Sequence, residues 1–189
     1  MEFQRTKNEN MTRISIQEFT IEHAKSESYI KWLNDNEVTQ FLGRDDMHNI
    51  NLKDALAYYE GLKLNNLVHF YALNTVESNQ FIGTCKISLL ASSGIKEGIC
   101  DLGIMIGDKR FWGKGYGGEA INIISRKCFN ELNIRKITAG CYANNIAMVK
   151  AFSRNGFNIE GVLKKQLKYK EEYIDHVLFG CFSEDLIID

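Results

Sequence analysis

The stretch Trp112-Gly113-Lys114-Gly115-Tyr116-Gly117-Gly118-Glu119-Ala120 puts four glycines into the six positions from 113 to 118. Glycine lets a backbone approach a phosphate closely. A helix opening just beyond would aim unpaired N–H groups and the positive end of its dipole at the anion. A diphosphate is the natural tenant of such a loop; a purely structural strand-to-helix turn is the alternative that the same residues satisfy. The Gly-Lys-Ser/Thr ending of the P-loop nucleotidases is missing. So are the third glycine placement and the downstream acidic residue of a dinucleotide fingerprint. Just upstream, Cys100, Leu102, Ile104 and Ile106 alternate onto one apolar face, so Asp101 points to the other. Cys85, Cys100, Cys128, Cys141 and Cys181 are odd in number and set among apolar residues, which predicts reduced, buried thiols rather than disulfides. With His23, His48, His69 and His176 scattered as well, no metal site is expected.

The elements that must hold the loop are readable from periodicity. Residues Arg13 to Phe19 alternate as a strand, Ile21 to Asn34 suits one helix, and Leu52 to Leu64 is an amphipathic helix. His69 to Val76, Phe81 to Leu90 and Ile99 to Ile106 read as strands joined by short turns, Glu77-Ser78-Asn79 and Ser92-Ser93-Gly94, which favours an antiparallel meander. After the loop come a helix to about Leu132, a strand from Lys136 to Tyr142 and a helix from Asn145 to Arg154, stopped at Asn155-Gly156. Phe157 to Leu167 and Tyr173 to Phe182 are the last strands. The expected fold class is α+β (mixed α/β): a mostly antiparallel sheet of about seven strands flanked by about four helices. One domain spans residues 12–189, preceded by a polar leader, residues 1–11, read as disordered.

Composition limits the partners. Lysine and arginine total 23 against 24 acidic residues, so no global charge favours nucleic acid or an anionic membrane. Lys164, Lys165, Lys168 and Lys170 form either a local basic patch or a solvated strand end. No apolar run reaches the roughly 18 residues that span a bilayer, and the first ten residues lack a signal-peptide core, so a cytoplasmic location is expected. An edge strand near the C-terminus would permit a homodimer.

The glycine loop resembles the acetyl-CoA motif of the GNAT superfamily, Arg/Gln-x-x-Gly-x-Gly/Ala, with Trp112 in first place and Gly115 and Gly117 as its glycines. Tryptophan there is similar to the RimJ/RimL-like branch, whose loop commonly reads Trp-Gly-Lys-Gly-Tyr. Asn145 through Gly156-Phe157 resembles the family's second signature, an Asn-led helix ending in Gly-Phe. Trp32-Leu33-Asn34-Asp35 with Glu37-Val38, and Tyr173-Ile174-Asp175, are similar to that branch too, so the likeness runs from about residue 12 to 184. It implies an acetyl-CoA-dependent N-acetyltransferase acting on a primary amine by direct transfer in a ternary complex. It further implies a diphosphate held by backbone N–H groups across Gly113, Lys114, Gly115, Tyr116, Gly117 and Gly118. The pantetheine would pair with Met105, Ile106 and Gly107, and Asn145 would meet the CoA arm, although an asparagine at that place is also a favoured helix N-cap.

Acetyl transfer to an amine needs a neutral nucleophile, a site for the oxyanion and a proton for the thiolate. The spacing of Asp101 from Trp112 matches the glutamate base of some GNAT histone acetyltransferases, which makes Asp101 the candidate base, acting directly or through water. Its other reading is a solvent-facing strand carboxylate. As a base it needs a raised pKa or a relay, since a free Asp titrates near ~3.9. Two proton donors common in the family are replaced, by Met148 and by Phe152. With Asn145 these share a helical face and suggest an apolar wall beside the thioester, leaving water, or Tyr142, Tyr169 or Tyr173, to protonate the thiolate. Trp32, Asp35, Glu37, Tyr58 and Tyr59 are candidates for an acceptor pocket, the aromatic ones equally for core packing. The expected acceptor is an amino sugar or other small-molecule amine. A protein N-terminus is the alternative, and a non-catalytic CoA-binding module is the reading outside enzymology.

Overall fold

The computed structural model describes residues 12–43, 49–89 and 94–187, so the polar leader and the turn at Ser92-Ser93 lie outside the described residues. The chain runs β1 (Ile14–Glu18), α1 (Ile21–Lys25), α2 (Glu27–Leu33), α3 (Asn36–Thr39), α4 (Leu52–Leu64), β2 (Val68–Thr75), β3 (Phe81–Leu89) and α5 (Gly94–Glu97). It continues with β4 (Ile99–Ile106), a 3-10 turn (Lys109–Phe111), α6 (Tyr116–Glu131), β5 (Lys136–Tyr142), α7 (Ile146–Arg154), β6 (Asn158–Tyr169) and β7 (Glu172–Phe182). The seven strands form one sheet in the order β1-β2-β3-β4-β5-β7-β6. Every neighbouring pair is antiparallel except β4 and β5. This is the mixed, mostly antiparallel architecture that the periodicity predicts.

The helices differ from the sequence reading in two regions: a short α5 stands between β3 and β4 where only a turn is expected, and the N-terminal helix is divided. The single helix expected over Ile21 to Asn34 is two, because Ser26 adopts an extended conformation (φ −61°, ψ 127°) and its hydroxyl accepts from Tyr29 N–H as the N-cap of α2. A capping side chain there satisfies a donor that a continuing helix would bond to its own backbone. The third piece, α3, is capped by Asp35 in the same way.

Two cores cover the two faces of the sheet. Beneath it, α6 lays Ala120, Ile121, Ile124 and Cys128 along one stripe against Leu73, Cys85, Ile87, Cys100, Leu102 and Ile137, all essentially buried. Each fully buried Ile or Leu there contributes on the order of 1.5–3 kcal/mol. Above it, Phe19, Ala24, Tyr29, Trp32, Val38 and Ala55 pack with Phe70, Phe81 and Met105. The alternation of β4 serves both, with Cys100 and Leu102 down and Met105 up. All five cysteines are free and buried. Strand β6 lies at the edge of the sheet, with Ile159, Val162 and Leu163 exposed.

Candidate active site

The parallel pair at the centre of the sheet is short. Strands β4 and β5 are in register only over Ile99–Asp101 and Lys136–Thr138, after which they separate. Gly107 N–H donates to Ile82 O at 2.9 Å, which fixes the phase of the ladder with β3. Met105 and Gly107 therefore turn their main-chain groups to β3, and Ile104 and Ile106 turn theirs into the gap that β5 has left. The gap opens into a cleft of about 1480 Å³ that passes from the α6/α7 side to the α1–α4 side of the sheet.

At one mouth of the cleft stands the glycine loop. The Trp112 indole N–H donates to Ile106 O at 2.7 Å and folds the loop back on β4. Gly113 (φ +69°) and Gly115 (φ +86°) take the left-handed backbone that favours glycine, and Gly115 is the N-cap of α6. The first main-chain bond of α6 runs from Glu119 N–H to Gly115 O. The N–H groups of Tyr116, Gly117 and Gly118 thus have no acceptor within the helix, at the positive end of its dipole. Arg13 anchors this corner. Its Nε donates to Glu119 Oε2 at 2.8 Å, its main-chain N–H to Oε1, and its Nη1 to Lys114 O at 3.2 Å, while the guanidinium lies 4.5 Å from the Tyr116 ring centre. The sequence carries no local signal for Arg13, which lies 106 positions from Glu119. Further along the cleft α6 and α7 contribute Arg126, Lys150 and Arg154. Arg126 Nε is buried with no hydrogen-bond acceptor.

Of the residues expected to hold a cofactor, Met105, Ile106, Trp112, Gly113, Gly115, Tyr116, Gly117, Gly118, Asn145, Met148 and Phe152 line the cleft. The structure puts two elsewhere. Gly107 is buried under Trp32, whose indole a Cβ there would overlap. Lys114 is exposed outside the lining, its carbonyl taken by Arg13. Asn145 caps α7, with Oδ1 accepting from Met148 N–H at 3.3 Å. Phe152 is 2% exposed and packs on Phe157 and Phe179, ring centres 5.1 and 5.4 Å away.

Asp101 occupies the last rung before the strands part, half-buried and set behind the cleft lining rather than in it. Burial pushes its pKa up, against the opposing pull of the Thr138 hydroxyl, His176 and Lys86. Thr138 Oγ1 lies 3.0 Å from Cys100 O and 3.3 Å from Asp101 Oδ1. One hydroxyl proton cannot serve both acceptors fully. The Thr138 hydroxyl proton is shared between them, with the shorter contact to the Cys100 carbonyl. The imidazole of His176 lies over Gly140, where a Cβ would overlap it, and Gly103 faces open space.

On the α1–α4 side the cleft walls are Tyr29, Leu33, Phe41, Tyr58 and Phe70, with Glu37 and Asp54. Glu37 and Asp35 are both engaged by Lys109, whose Nζ is 2.6 Å from Asp35 Oδ2. That partner first, then backbone donors, holds the Asp35 carboxyl low. Trp32 and Tyr59 belong to the upper core, while Tyr58 lines the cleft. Phe41 stacks on Tyr169 at 5.3 Å, and Tyr169 O–H donates to Gln40 Oε1 at 2.8 Å, closing the segment after α3 onto the β6–β7 hairpin. Tyr142 joins this cluster, whereas Tyr173 is 64% exposed.

Comparison with known proteins gives a consistent picture. Residues 13–158 match the family model described as acetyltransferase (GNAT) domain. The N-acetyltransferase p20 of Bacillus licheniformis is 23% identical over 174 residues, 92% of this chain and 94% of its own. Spermidine N-acetyltransferase from Vibrio cholerae, solved with CoA and spermine, superposes with a TM-score of 0.80 at 15% identity, covering 92% of this chain and 97% of that one. The ribosomal-protein-S5-alanine acetyltransferase of Vibrio fischeri gives 0.74 at 20% identity, covering 93% and 96%.

Proposed function

This chain belongs to the GNAT acetyltransferase family, and from that premise we propose that it transfers an acetyl group from acetyl-CoA to a small-molecule primary amine, directly, within a ternary complex. The observation that carries the reading is the separation of β4 from β5 with the α6 N-terminus at one mouth of the gap. It joins an anion cradle and an aromatic chamber through a single cleft.

The residues present suit a CoA-type donor. Three uncommitted N–H groups at the start of α6 match a diphosphate. Arg126, whose Nε is buried without an acceptor, together with Lys150 and Arg154, matches further phosphate charge. Ile104 and Ile106 offer main-chain groups to an extended arm, Ile106 through its N–H, since its carbonyl is held by Trp112. Acetyl-CoA would supply the activated acyl group and a thiolate leaving group. Asp101, set back from the cleft and kept basic by burial, takes the amine proton through water. Asn145, Met148 and Phe152 present no acidic proton on their face of α7, so solvent protonates the thiolate, whose free pKa near ~8.5 makes that undemanding. The loop Trp112-Gly113-Lys114-Gly115-Tyr116 supports placement in the RimJ/RimL-like branch. The similarity to a ribosomal-protein acetyltransferase keeps a protein N-terminus as the second acceptor class. The superposition on a polyamine enzyme is as close, so fold likeness does not choose between them.

The test is calorimetric binding of acetyl-CoA together with thiol release over amino sugars, amino acids, polyamines and short N-terminal peptides. Release with a small amine is expected. Gly115→Val should cut acetyl-CoA affinity at least tenfold, by forcing a β-branched residue into a left-handed cap and crowding the cradle. Unchanged affinity would remove the loop from the donor site, and release with peptides alone would transfer the assignment to protein N-termini.

A further inference from the structure

Lysine 86 stands in the middle of β3, directly opposite Gly103 of β4, with Thr84 opposite Met105 and Ser88 opposite Asp101. Residues paired in this way share a face, so the Lys86 side chain rises on the same side as Asp101 and Met105, the side covered by α1–α4. It lines the cleft and is half-buried. A lysine at the centre of a seven-stranded sheet ordinarily has an ion-pair partner. Among the described residues no carboxylate lies within ion-pair range of its Nζ and no hydrogen bond engages that atom, while its field reaches Asp101.

The acids that could have answered it, or attracted a cationic substrate, are committed elsewhere. Lys109 engages both Asp35 and Glu37. Asp54 closes the capping box of α4, accepting from Asn51 N–H at 2.9 Å. Across from Lys86, Gly103 leaves space with no atom within 4 Å of a would-be Cβ. Gly140 lines the hollow beneath the His176 imidazole, and Tyr29, Phe41, Tyr58 and Phe70 wall it. Lys86 therefore presents a positive charge with no ion-pair partner in contact to a vacant volume. That volume is one same-face step along the sheet, about 7 Å, from the carboxyl that takes the amine proton.

Resting on the proposed acetyl transfer to a small amine, we infer that the acceptor carries an anionic group, carboxylate or phosphate, on the same small molecule as its amine, and that Lys86 is the residue that selects for it. The anion seats against Lys86 while the amine lies toward Asp101. A polycation meets the Lys86 charge while the cleft carboxylates Glu37 and Asp54 are already engaged, so polyamines are disfavoured despite the fold likeness. The same positive charge favours the neutral form of the nearby amine, which is the nucleophilic one.

The experiment compares matched acceptors that differ only in the anion: L-alanine with L-alaninamide, and glucosamine 6-phosphate with glucosamine, with spermidine as the polycation. Thiol release is measured for the wild type, Lys86→Met and Lys86→Arg, with acetyl-CoA affinity determined by calorimetry for each. The expected result is a preference for the anionic member of at least one pair of about tenfold to a hundredfold in kcat/KM, the size of one charge-assisted hydrogen bond. It should be expressed mainly in KM, and the preferred pair tells carboxylate from phosphate. Lys86→Met should bring the preference close to unity with acetyl-CoA affinity unchanged, and Lys86→Arg should retain most of it. Equal rates within both pairs, a preference that survives Lys86→Met, or spermidine as the best acceptor would each overturn the inference while leaving the acetyltransferase reading intact. Acetyl-CoA binding without thiol release from any of these amines would instead count against the small-amine reading, and the inference would fall with it.

Discussion

At the scale of single residues the proposed transfer rests on an acid kept where it is energetically unwelcome. Asp101 sits between Lys86, Thr138 and His176 at the point where the central strands part, and burial raises its pKa. For a carboxyl whose folded pKa is raised, the stability it contributes is full below its ordinary range and is lost as pH rises through the raised value. Above the ordinary carboxylate range the folded chain therefore bears a cost that Asn would not incur, and Asn can still bond Thr138. Asp101→Asn should lower kcat at least tenfold with acetyl-CoA affinity unchanged, and at pH 7 should melt higher than the wild type. Each ~1 kcal/mol relieved corresponds to about 2–4 °C for a domain of this size. The difference should close below about pH 4, where the wild-type carboxyl is protonated in both states. Calorimetric melting of the two proteins across pH decides the matter: a variant that melts lower at pH 7, or one with full turnover, removes Asp101 from the role given to it here.

At the scale of elements, what could be read from the sequence depended on how local each feature is. The glycine loop, the Asn145 cap and the Asn155-Gly156 stop act within a few positions of themselves, and the α6 and α7 boundaries follow from them. The meander β2-β3-β4 was likewise legible, since short turns leave antiparallel pairing as the simple solution. The division of the N-terminal helix at Ser26 was not, because apolar spacing continues through a residue whose side chain caps a new helix. Arg13 was invisible for a different reason: its partner Glu119 is brought to it only when β1 joins the far edge of the meander above the start of α6. That contact sets the next prediction. Glu119 places a carboxylate in the first turn of the helix that would hold the diphosphate, and Arg13 offsets its charge. Arg13→Ala should raise the Kd for acetyl-CoA about fivefold to tenfold, on the order of one partly exposed charge-assisted interaction. Arg13→Ala with Glu119→Gln should recover part of the loss, because the repelling charge has gone as well. Calorimetry of the single and double variants tests it, and additive losses would show that Arg13 does not act by offsetting Glu119.

At the scale of the whole molecule the sheet separates two half-sites that share one cleft. The proposed donor half rests on α6 and α7 and the lower core; the proposed acceptor half rests on α1–α4 and the upper core, with the β6–β7 hairpin joined to it through Tyr169. The halves meet at the gap between β4 and β5. Across the top, the proposed acceptor half is held by a long-range clasp, Gln40 and Phe41 on Tyr169, residues up to 129 positions apart that no local pattern could pair. This layout makes the two binding events separable by mutation. A ligand that binds only the folded state stabilises it by RT ln(1 + [L]/Kd), about 2.7 kcal/mol at a hundredfold excess over Kd. Saturating acetyl-CoA should therefore raise the melting temperature of the wild type and of Tyr169→Ala by the same increment, even if the variant starts lower for loss of the clasp. Its KM for the amine should rise severalfold, since the segment carrying Phe41 is no longer held against the hairpin, while KM for acetyl-CoA stays put. Tyr169→Phe, which keeps the stack on Phe41 and removes only the hydroxyl bond to Gln40, should fall between the two. Should Tyr169→Ala lose the acetyl-CoA increment as well, the clasp would be holding the donor half too, and the two sides of the sheet would have to be treated as one cooperative site.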